Sequence, residues 1–215
     1  LVEGLLIVMF ILVLFLGNAR AGLVVASVIP LSMLFAFGMM KVFGVGGNLM
    51  SLGALDFGII VDGAVIIVEC VSSYVATHGV KFGKKRLTQA DMDKVVTHSA
   101  GKMMSSAAFG EIIIMTVYVP LFTLVGIEGK MFRPMAMTVF FAVLGAFILS
   151  LTYVPVASSL FLSKNVKHKE NFSDRMMHAI QRFYYPIVEK SLKHCKAIIV
   201  SGVALLAVAL LVFSR

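Results

Sequence analysis

Six apolar runs divide the chain, at about residues 1–17, 22–43, 48–75, 103–125, 134–162 and 196–214. Each reaches or approaches the roughly 20 residues that a helix needs to cross the hydrocarbon core of a bilayer. Apolar positions within them are continuous rather than alternating, so the pattern predicts helices and argues against a transmembrane β-barrel. Pro30, Pro120 and Pro155 fall inside runs, where lipid-embedded helices tolerate them better than soluble ones do.

The polar connections differ in character. Asn18 to Ala21 predicts a tight turn carrying Arg20, Gly44 to Asn48 a short glycine-rich turn, and Gly126 to Arg133 a short loop. Thr88, just before Gln89 to Ser99, predicts a separate capped helix feeding the run at 103. Over 172–192, Phe172, Met176, Ile180, Phe183, Tyr184, Ile187 and Leu192 recur at helical spacing between charged residues. That predicts an amphipathic helix lying on a membrane surface, capped by Asn171 or Ser173. The expected fold is an all-α membrane protein, a polytopic bundle of about six transmembrane helices with one amphipathic surface helix.

Composition agrees with the pattern. Of 215 residues 60% are apolar and 14% charged, and the mean hydropathy is +0.98. Soluble domains lie nearer half apolar and a quarter charged, so this is an integral membrane protein. Leu1 already stands within an apolar run, so the chain reads as a piece of a longer one, with no signal peptide to interpret. Its net charge of +8 is placed for orientation, not for binding nucleic acid. Arg20, six basic residues in 76–102 and eight in 163–196 share one side, against Lys41, Lys130, Arg133 and Arg215 on the other. The positive-inside rule puts the first group in the cytoplasm. Cys70 and Cys195 form no Cys-x-x-Cys pair and imply neither a disulfide framework nor a zinc site.

The candidate chemistry sits in the third run, which carries Asp56, Asp62 and Glu69. A charged side chain near the bilayer centre costs roughly 3 kcal/mol or more on insertion scales, and proton or ion handling is the usual reason to keep one. The plainer alternative is neutralisation by a partner on a neighbouring helix. On an ideal helix Asp56 and Asp62 stand about 9 Å apart along the axis and roughly 120° apart around it, whereas Asp62 and Glu69 share a face to within roughly 20°. Ala54, Gly58 and Asp62 follow at intervals of four, and Gly63 adds another small residue. Such a strip lets a second helix approach closely and leads into Asp62, which is expected to be buried against that helix.

Asp-Phe-Gly-x-x-x-Asp-Gly-Ala-x-x-x-Val-Glu at 56–69, preceded by Asn48-Leu-Met-Ser-Leu-Gly53, resembles the fourth transmembrane helix of heavy-metal efflux pumps of the resistance–nodulation–division superfamily. The likeness is greatest to the cobalt–zinc–cadmium branch. Leu16-Gly-Asn-Ala-Arg20 resembles that family's turn between helices two and three, and Gly126 to Pro134 its loop between helices five and six. The resemblance implies proton-driven efflux of heavy-metal cations.

The expected cargo is therefore divalent zinc, cobalt or cadmium, with copper–silver or multidrug export as the alternative. The resemblance further implies proton translocation by Asp56, Asp62 and Glu69, with Ala54, Gly58 and Gly63 packing at the proton site. It implies a homotrimer in the bacterial inner membrane that works with a periplasmic adaptor and an outer-membrane channel, needs no cofactor and is not an enzyme. Residues 1–162 would be helices two to six, 163–195 a cytoplasmic amphipathic connector and 196–215 helix seven, with the transported metal's ligands elsewhere. The family pattern ends Val-Glu-Asn, and Cys70 stands where that Asn would be. A small thiol acting as a hydrophobe is the plainer reading of it, ahead of a soft metal ligand.

Other residues carry less. Glu111 lies at a depth comparable to Glu69 on its own run, and either shares a proton path with it or pairs structurally with Ser or Thr hydroxyls, the second being favoured. Fourteen methionines scatter without converging, and all five histidines fall in cytoplasmic segments without metal-ligand spacing. An intramembrane aspartyl protease would need two carboxylates close enough to share a proton, which Asp56 and Asp62 on one helix are not.

Overall fold

The computed structural model describes residues 2–47, 53, 55–81, 87–162 and 172–213. Among them are eight α-helices and no strand: α1 (Val2–Leu16), α2 (Ala19–Val42), α3 (Phe57–Lys81), α4 (Gln89–Tyr118), α5 (Gly126–Leu151), α6 (Tyr153–Phe161), α7 (Phe172–Lys193) and α8 (Cys195–Phe213). A 3₁₀ turn, Val119–Thr123, joins α4 to α5. The chain divides into two compact units, Leu1–Lys169 and Glu170–Arg215. Ala54, Asn48 to Leu52 and the proposed cap Asn171 lie outside the described residues.

The molecule is an all-α, multi-pass membrane chain. Four stretches are long and apolar enough to cross a membrane: α2, Phe57–Ala76 of α3, α4 with its 3₁₀ turn, and α5. The α1 helix is apolar but has only 15 residues. Ile180–Lys193 and Ile198–Phe213 pass the same test only as a pair, bent by 88°.

Local chemistry explains where the helices begin. Gly17, at φ +62°, turns the chain, and the Asn18 side chain then accepts a hydrogen bond from the Arg20 N–H at 3.1 Å. The expected four-residue turn is thereby shortened, and Arg20 lies in the first turn of α2. Thr88 and Asp91 form a reciprocal capping box at the head of α4. With no proline inside it, α4 runs without a break from that cap to Tyr118, so the expected short helix and the span after it are one element.

Gly126–Arg133, read from sequence as a loop, is instead the beginning of α5. Glu128 in its first turn complements the helix dipole, and Lys130, Met131 and Arg133 are good helix formers. The run 134–162 breaks at Thr152, after which Pro155 sits in the first turn of α6, where its missing N–H removes no helical hydrogen bond.

Packing is closest where side chains are small. The main neighbour of α2 is α5, and that of α3 is α4. At Gly145 of α5 an added Cβ would stand 2.6 Å from the Phe35 ring of α2, so only glycine allows this approach. On α3 the residues Ile60, Ala64, Ile67, Val68, Val71 and Val75 are buried, a stripe at helical spacing turned toward the bundle.

Candidate functional site

The three carboxylates of the third run occupy three different settings. Asp56 does not lie within the helix, as the sequence pattern suggested, but just before it. Its Oδ1 accepts a hydrogen bond from the Gly58 N–H at 2.8 Å, the arrangement of a helix N-cap. The physical reason is that a short carboxylate satisfies an orphan N–H at the positive end of the dipole better as a cap than one turn later. Asp56 is exposed.

Asp62 lies in the second turn of α3 and is also exposed, as is Gly58 one turn earlier. The expectation that a described helix would bury Asp62 is therefore not met. The apolar stripe of α3 takes the inner face, and Asp62 lies some 200° around the helix from Ile60 at about 100° per residue. Glu69, exposed too, shares the face of Asp62. Among the described residues neither acid has an ion-pair partner, whereas Lys193 and Glu189 pair at 2.8 Å on α7.

Glu69 borders a groove of about 550 Å³ between α3 and α4, lined also by Cys70, Tyr74, Ser99 and Lys102. There the Cys70 thiol donates to the Ser99 carbonyl at 3.7 Å. A thiol thus makes one weak polar contact where the family pattern has an amide.

Glu111 is the contrasting case. It is buried, and Ser150 of α5 donates a hydrogen bond to its Oε2 at 3.4 Å. That is the hydroxyl pairing expected of it. Gly63 is buried as well, and its contact is this carboxyl. The small-residue strip was legible in the sequence, but its partner at Gly63, a glutamate supported by Ser150, was not, because the contact joins residues far apart in the chain. Lys102, which in sequence signals only topology, shares the groove with Glu69.

Among the described residues no group of three or more His, Cys, Asp or Glu could hold a metal ion. The arrangement offers instead three carboxyl groups, Asp56, Asp62 and Glu69, spaced from the cap of α3 to beyond its midpoint.

Comparison with known proteins places this geometry in context. A profile of the AcrB/AcrD/AcrF family matches residues 1–215. The cobalt-zinc-cadmium resistance protein CzcA of Cupriavidus metallidurans is 48% identical over 200 residues, which is 93% of this chain and 18% of that protein. The nickel and cobalt resistance protein CnrA of the same organism is 41% identical over 214 residues, 100% of this chain and 20% of the relative. A crystal structure of a heavy metal efflux pump superposes with a TM-score of 0.76 at 32% identity, over 98% of this chain and 18% of that one. The chain thus spans about a fifth of the length of the curated relatives it matches.

Proposed function

The chain belongs to the AcrB/AcrD/AcrF family of resistance–nodulation–division transporters, and on that premise we propose that it is the proton-coupling part of a pump that expels heavy-metal cations in exchange for protons. The observation that carries this reading is the exposed acidic strip of α3. Asp62 and Glu69 share one face of a spanning helix whose opposite face is apolar and packed. Left against lipid, each charge would cost roughly 3 kcal/mol or more, so that face calls for water or a polar partner from elsewhere in the protein.

In this scheme Asp62 is the essential carrier. Asp56 at the mouth of α3 and Glu69 toward the cytoplasm extend the path on either side. The names of the relatives favour divalent cargo: cobalt, zinc and cadmium for one, nickel and cobalt for another. The working assembly is a homotrimer in the bacterial inner membrane with a periplasmic adaptor and an outer-membrane channel, and α7 is the cytoplasmic surface connector between α6 and α8. A protease is disfavoured because Asp56 and Asp62, six residues apart across a helix cap, do not form a proton-sharing dyad.

Asp62→Asn tests the central claim. It removes the proton site with little change of volume, so metal resistance should be lost while expression and trimer assembly persist. Wild-type resistance in that variant would overturn the assignment.

A further inference from the structure

Glu111 is the one acidic side chain buried among the described residues, with 2% of its surface exposed. It belongs to α4, yet its carboxyl reaches two other helices. Oε2 stands 3.4 Å from the hydroxyl of Ser150 on α5, whose one proton it shares with the Phe147 carbonyl at 2.8 Å. Oε1 has no hydrogen-bond partner and lies over the backbone of Gly63 on α3. The fit is tight enough that a Cβ at Gly63 would fall 2.9 Å from the Glu111 Cδ. Gly63 follows Asp62 directly, so a rigid helix carries the two as a unit.

We infer that Glu111 is a positioning residue: seated on Gly63 and supported by Ser150, it sets the rotation of α3 and hence the direction in which Asp62 presents its carboxyl. This rests on Asp62 being the proton carrier. The leverage is geometric. Rotating a helix by about 20° moves a group ~5 Å from its axis by nearly 2 Å. Displacements of about 1 Å at a reacting group are enough to change rates by around a hundredfold. What matters at position 111 is then the length and seating of the side chain rather than its acidity.

The test separates length from acidity in the full-length protein, reconstituted in vesicles with an imposed pH gradient and zinc as the probe. Glu111→Gln keeps the length and loses the acid, and Glu111→Asp keeps the acid and is one methylene shorter. Positioning predicts that E111Q transports within about twofold of wild type, while E111D loses about fivefold or more in kcat with KM for zinc unchanged. Gly63→Ala should fail similarly, and the double variant G63A/E111D should recover, since the shorter side chain makes room for the new methyl group. The reverse order, E111D active and E111Q inactive, would overturn the inference by making the proton itself essential. So would wild-type kcat in both E111D and G63A. Asp62→Asn in the same assay keeps the two readings apart: transport by that variant refutes the proton-carrier assignment, whereas its loss beside an active E111D and G63A refutes only the role given to Glu111.

Discussion

At the scale of single residues, Asp56 holds two roles that a pair of substitutions can separate. As the cap of α3 it satisfies the Gly58 N–H, a contribution of about 1 kcal/mol in comparable helices. As an exposed carboxyl at the mouth of the helix, it is also proposed to exchange protons. Asparagine caps about as well as aspartate but does not titrate. Asp56→Asn should therefore leave the melting temperature of the purified protein unchanged and slow proton-coupled transport, while Asp56→Ala lowers both. Transport at the wild-type rate in Asp56→Asn would leave the cap as this residue's whole contribution. Glu69 has no capping role to confound it, so Glu69→Gln should slow transport with stability intact; equal rates would make that carboxylate dispensable.

At the scale of elements, the apolar runs foretold the helices well and their ends less well. Asn18 and Thr88 announced their helices because a cap is a local contact that needs only the next three residues. The α5 start at Gly126 was hidden, because glycine, lysine and arginine read as a loop until the following helix extends back through them. The acidic run reads as one helix, yet its first aspartate is the cap. Of the candidate site, the shared face of Asp62 and Glu69 followed from helical period alone. The seat of Glu111 between Gly63 and Ser150 did not, since no local pattern links three helices. The Thr88 capping box gives a direct check on an element predicted from sequence. Replacing Thr88 by Ala should lower stability by about 1 kcal/mol through the head of α4, read as a lower unfolding midpoint, with the transport rate per folded molecule unchanged.

At the scale of the molecule, the placement of charge predicts an orientation and bears on the proposed cargo. Lys94 and Lys102 lie in one of the two basic segments, and Lys130 and Arg133 lie beyond the next span. The positive-inside rule then predicts that the Lys94 side faces the cytoplasm. Single cysteines introduced at Lys94 and at Lys130, with Cys70 and Cys195 replaced by serine, should react from opposite sides of sealed vesicles with an impermeant maleimide; labelling from the same side would overturn the topology. That orientation runs α3 from the outer surface inward, with Asp56 outermost. Moving one elementary charge across 100 mV is worth about 2.3 kcal/mol, so each divalent ion exported carries roughly twice that load. Two protonatable aspartates, Asp56 and Asp62, would allow two protons to enter for each such ion and so balance its charge. On this argument the full-length protein should protect cells against zinc, cobalt or cadmium, and the Asp56→Asn variant should protect less at the same expression level. Protection against copper or silver alone, with zinc, cobalt and cadmium tolerance unchanged, would refute the divalent assignment while leaving the proton path through Asp62 standing.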